Sequence, residues 1–170
     1  NNDHLLISYL TLRKTIGWLG LLLPVVLFFG NYIISWVTEY ENGCNPYKSS
    51  ISHYYYTRMG EIFTGTLCAV SLFLFTYNGH PKHEGEKGLS DRFLSLLAAL
   101  FALGVVIFPT SSDGAPLCSL RTFYSNGLIG GIHFTMAALF FVTLAYMAYF
   151  NFTKTHGDMT PEKIKRNKIY

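Results

Sequence analysis

The stretch "TIGWLGLLLPVVLFFGNYIISWVT", residues 15–38, decides the fold. It carries no formal charge over 24 residues, and a helix rising ~1.5 Å per residue would make it ~36 Å long, enough to cross a ~30 Å hydrocarbon core. Trp18 stands near one end and Trp36 near the other. As a helix, the stretch sets them ~27 Å apart, so both indoles reach the two membrane interfaces together, as an aromatic belt requires. A secretory signal would have a shorter apolar region of about 7–15 residues and a small-residue cleavage site. The stretch therefore reads as a spanning helix, with Pro24 expected to kink it by removing one backbone hydrogen bond.

Three more stretches lack formal charge: residues 62–79, 93–112 and 122–153. Charges crowd into the segments between them, a distribution that an ordinary soluble domain of this size rarely shows. The expected fold is all-α: a polytopic transmembrane helix bundle with spans at about residues 15–38, 60–79, 92–110 and 126–150. Residues 1–170 form one integral membrane domain. The chain begins without Met and ends on the basic run "KIKRNKIY", so it is expected to be cut at both ends, with further spans after Tyr170.

Basic residues set the orientation. Arg13, Lys14, Lys82, Lys87, Arg92, Lys154, Lys163, Lys165, Arg166 and Lys168 fall on one side, and Lys48, Arg58 and Arg121 on the other. The positive-inside rule then puts both visible termini in the cytoplasm and residues 39–60 and 112–125 outside. The loop "YNGHPKHEGEKGLSD" suits a tight cytoplasmic connection. Its His80 and His83 could seat a metal on a helical turn, or be two solvated loop histidines.

Gly127 and Gly131 lie four apart in the last span, and Thr135 and Ala138 extend the small-residue stripe. Such a stripe lets another helix approach closely, from this chain or from a second copy in a homo-oligomer. Gly65 and Ala69, and Ala98, Ala99 and Ala102, are expected to do the same in spans two and three. Cys68 reads as a small core residue. Cys44 and Cys118 fall in the two outer loops, where they could form a disulfide, remain two thiols, or join a histidine around a metal.

His133 is the one histidine inside the four uncharged stretches. An intramembrane imidazole either serves a function or is a neutral ring hydrogen-bonded to a hydroxyl or carbonyl of the bundle. At the same outer rim come Ser49, Ser50, Ser52 and His53, and "FPTSSDGAP" adds Thr110, Ser111, Ser112 and Asp113. His53, His133 and Asp113 could hold a metal that activates water, or act as general acid and base. Ser52 and Ser49 join them as candidate catalytic residues, Ser52 as a nucleophile if a histidine reaches it. The competing reading makes "FPTSSDG" a helix stop and "YYY", residues 54–56, an interfacial belt among headgroups.

The segments "SIS" (residues 50–52), "GTLCAVSLFLFTYNG", "FALGVVIFPT" and "IHFTMAALFF" carry a resemblance. On them the chain resembles a bacterial multi-pass membrane protein family of unknown function, distantly similar to the DRAM and GPI-lipid-remodelling membrane proteins. That resemblance implies about six helices and names no reaction. A second, partial resemblance is to membrane hydrolases of the alkaline ceramidase and adiponectin receptor type. Their zinc site implies a serine and histidine four apart, matched by Ser49 and His53, an aspartate, for which Asp113 stands, and a His-x-x-x-His pair that residues 1–170 lack.

The expected function is that of a bacterial inner-membrane protein with a lipid-headgroup-binding or lipid-processing site at the extracytoplasmic rim, zinc being the cofactor to consider. The alternatives are an oligomeric channel or transporter lined by His133, and a non-catalytic scaffold whose basic tail, residues 154–170, meets a partner or anionic lipid. No phosphate-cradling glycine loop or nucleic-acid-binding pattern is present.

Overall fold

The computed structural model describes residues 2–37, 45–79, 88–111, 121 and 127–151, with side chains of the first helix from residue 11 onward. These residues form helices α1 (Asn2–Val37), α2 (Gly60–Thr76), α3 (Asp91–Ile107) and α4 (Gly127–Tyr146). A 310 turn (Ile51–Tyr56) precedes α2, and a π turn (Met147–Asn151) continues α4. No strand occurs among the described residues.

Helices appear where spans were expected, but they are not all of spanning length. Two pass on length and composition: α1 over Thr11–Val37, and α4 with its π turn over Gly127–Asn151. Of the four expected spans, these two are helices long and apolar enough to cross a membrane. Helices α2 and α3 have 17 residues each, or ~26 Å at ~1.5 Å per residue. Local chemistry ends them early. After Thr76 the backbone turns extended at Tyr77 (φ −74°, ψ 116°) and reaches Gly79 in the left-handed region at φ 65°. Beyond Ile107, Pro109 cannot continue the helical hydrogen bonds of α3. At its other end Ser90 caps the helix, accepting from the Phe93 N–H at 3.2 Å. Helix α1 runs unbroken through Pro24.

Helix α3 packs against α2 on one side and α4 on the other, while α1 lies along α2 and the 310 turn. Small residues make the central contacts close: Ala98 and Ala102 are fully buried, and Ala99 nearly so, with Leu74 and Phe140 around them. A Cβ on Gly104 would come within 3 Å of the Met136 side chain, so α3 and α4 approach through that glycine. Two serines of the α2–α3 seam bond across it. Ser71 donates to the Ala99 carbonyl at 2.8 Å, and Ser95 donates to the Leu74 carbonyl. Both hydroxyls are buried and need such acceptors.

Toward the 310 turn the core consists of Leu23, Leu27, Tyr54, Met59, Phe63 and Val105. At the opposite end Tyr77, Leu94 and Met147 pack together, beside a polar pair in which the Asn151 amide donates to the Asp91 carboxylate and to the Leu89 carbonyl at 3.3 Å. The outside of the bundle is apolar. Trp18 and Trp36 are 59% and 79% exposed, and Leu128, Phe134, Phe141 and Val142 project from α4. An apolar surface of this extent is out of place in water and suited to lipid.

Gly127, Gly131, Thr135 and Ala138 all face outward, so their stripe is not what joins α4 to α3. Gly130, on a different side, is buried near Ser111. The tyrosines depart from the belt expectation. Tyr54 and Tyr56 are 4% and 3% exposed, because the 310 turn folds them under α2 rather than out toward headgroups. Tyr54 joins the core, and the Tyr56 hydroxyl donates to the Thr110 carbonyl.

Candidate functional site

Three separate parts of the chain meet around His133, whose ring is 1% exposed. Its Nδ1 lies 2.7 Å from the Phe108 carbonyl oxygen, and its Nε2 lies 2.8 Å from Ser52 Oγ. A carbonyl only accepts, so Nδ1 carries the proton in the neutral ring. Nε2 is left as the acceptor, and the Ser52 hydroxyl donates to it.

Local sequence explains why a carbonyl is free for His133. The Val105 carbonyl would take its helical donor from residue 109, but Pro109 has no N–H. Phe108 lies just past the last turn of α3, where carbonyls lack intrahelical partners. The imidazole therefore faces the C-terminal end of α3, with Phe108 as hydrogen-bond partner and the Val105 carbonyl also in range. That end is the negative pole of the helix, which favours positive charge there.

On the other side of Ser52, His53 has its own partners. Ser49 Oγ lies 2.8 Å and Ser50 Oγ 2.9 Å from His53 Nδ1. The two imidazoles are close enough to interact electrostatically. Thr110 follows Phe108 by two residues: it is fully buried, and its Oγ1 has no hydrogen-bond partner among the described residues. The Tyr56 bond to its carbonyl ties this segment to the 310 turn. Burial, and secondarily the neighbouring Tyr55, push the Tyr56 hydroxyl above its ordinary pKa. Nearby, Arg121 pairs with Glu61 and lies 4.9 Å from the centre of the Tyr55 ring.

Of the residues expected at the rim, the structure brings Ser52 onto His133 and Ser49 onto His53. Asp113, Cys44, Cys118, His80 and His83 lie outside the described residues. Cys68 is a half-buried free thiol. Among the described residues no group of three or more His, Cys, Asp or Glu side chains is arranged to hold a metal ion. Both ring nitrogens of His133 are satisfied, which is the geometry of a structural imidazole; the same geometry also presents a serine to a base of defined tautomer.

Sequence reasoning passed over the Phe108 carbonyl, although Pro109 signalled the end of α3, past which carbonyls lack helical donors. It also passed over the Asp91–Asn151 pair, whose signal was a carboxylate and an amide at the two ends of apolar runs. The described residues define an all-helical protein with two helices fit to cross a membrane and a part-buried serine–histidine contact between the 310 turn and the second of them. Comparison with protein-family models, curated proteins and solved structures found no match to the chain.

Proposed function

We propose that the chain is a multi-pass protein of the bacterial inner membrane that binds lipid headgroups at its extracytoplasmic rim. In this reading α2 and α3 cross the bilayer beside α1 and α4, tilted or with locally thinned lipid to suit their length. Both visible termini lie in the cytoplasm, as the basic residues direct. The observation that carries the reading is the Ser52–His133–Phe108 chain of hydrogen bonds. An ionisable side chain inside an apolar helix is a functional hypothesis by default, and partly exposed Ser52 carries this hydrogen-bond chain toward the surface of the bundle. Ser49, Ser50 and His53, within three residues of Ser52, supply further donors for a headgroup.

The test is lipid retention by the protein purified from a bacterial membrane, read by native mass spectrometry. The wild type is expected to keep phospholipid, and Ser52→Ala and His53→Ala to lose at least tenfold of it. Equal retention in all three proteins overturns the reading. Self-association is the second reading, favoured by the outward stripe of Gly127, Gly131, Thr135 and Ala138. Cross-linking in membranes with and without Gly131→Leu distinguishes it.

A further inference from the structure

We infer that Ser52 is the nucleophile, and His133 its general base, of an acyl-transfer site that cleaves long-chain carboxylic esters of membrane lipids; this rests on the rim-site reading above. A serine hydroxyl is a poor nucleophile until a base within hydrogen-bond reach takes its proton as it attacks. His133 Nε2 is at that distance, 2.8 Å. Its other nitrogen is committed to the Phe108 carbonyl, which holds the ring in the tautomer that leaves Nε2 able to accept. A carboxylate usually fills the orienting place in such triads. Here a backbone carbonyl and the negative end of α3 fill it.

Access fits the assignment. Ser52 is the partly exposed member of the pair and His133 the buried one, so the base is shielded from water on its side of the contact.

The step balances. Ser52 Oγ forms a bond to the ester carbonyl carbon as His133 Nε2 takes the hydroxyl proton, and the carbonyl π pair moves onto oxygen. Collapse of the intermediate breaks the carbon–alkoxy bond, and His133 returns the proton to the departing alcohol. Water then attacks the acyl-serine with its proton passing to Nε2. The carbon–Ser52 bond breaks, the serine recovers its proton, and one ester and one water have become an acid and an alcohol.

The test is reaction of the full chain, in lipid nanodiscs, with a lipophilic fluorophosphonate, followed by peptide mass spectrometry. The expected result is a covalent adduct on Ser52 and none on Ser49 or Ser50. Labelling is expected to fall at least hundredfold in His133→Gln. A p-nitrophenyl ester of a long-chain acid is expected to be hydrolysed by the wild type and not by Ser52→Ala. A folded wild type that gives no Ser52 adduct overturns the inference; if it still retains phospholipid through Ser52, the headgroup reading survives, and if retention is also insensitive to Ser52, both fall.

Discussion

Ser52 Oγ bonds His133 Nε2 at 2.8 Å across 81 residues of sequence, whereas the histidine adjacent to Ser52 in the chain turns to Ser49 and Ser50 instead. The contact joins the 310 turn to α4, and through Phe108 it also ties in the end of α3. Replacing His133 by Ala leaves two polar partners and a cavity at a site that is almost fully buried. The expected cost is ~2–4 kcal/mol, seen as a lower midpoint in thermal unfolding of the detergent-solubilised protein. A variant as stable as wild type would remove His133 from the scaffold.

Gly104 and Met136 set the α3–α4 spacing. In Gly104→Ala the gain in helix propensity, ~1 kcal/mol, opposes the overlap with Met136, so the net change is expected to be small. Gly104→Leu should cost ~1–3 kcal/mol, and Met136→Ala in the same protein should return part of it. A double-mutant cycle measures that coupling, and strict additivity would show that the helices do not meet there.

Tyr56 predicts a pH effect. Its hydroxyl is neutral when folded, and burial raises its pKa above the usual 10.0. As pH passes the unfolded value the unfolded tyrosine ionises first, so stability is present below that pH and is lost as pH climbs toward the raised one. Wild type should therefore lose more stability than Tyr56→Phe above pH ~10, by unfolding measured across pH 8–11. Parallel curves would rule the contribution out.

Asn151 and Asp91 fasten the far end. Asn151→Leu leaves the buried Asp91 carboxylate without the amide donor, at an expected cost of ~1–3 kcal/mol. Amide hydrogen exchange should rise in the first turn of α3 and in the π turn before it rises elsewhere.

The helices were legible because charge-free runs announce apolar elements whatever surrounds them. Their ends were less so. Thr76 and Ile107 stop their helices through the Gly79 turn and Pro109, local signals that a count of apolar residues overrides, and two spans were expected beyond what the helix lengths support. The site was legible as a set of residue types at one depth. Its pairing was not: Ser52 sits beside His53 in the chain, but a 310 turn points adjacent side chains ~120° apart, so the serine reaches α4 and its neighbour does not. The burial of Tyr54 and Tyr56 follows from the same turn.

The placement of α1 makes the chain divisible. Its helical neighbour is α2, and its further ties run to the 310 turn and to the segment before it, where Asn31 donates to the Pro46 carbonyl at 2.6 Å and Tyr47 stacks on Phe28. All of these contacts lie on one edge of the α2–α3–α4 row. Two polypeptides, one ending and the other beginning within residues 38–44, should insert separately and reassemble in the membrane, the first clipping onto the second through Gly30 and Met59. Co-purification of the halves, lost when Gly30 is made Leu, would display the first helix as a detachable blade that completes the core of the other three with Leu23 and Leu27.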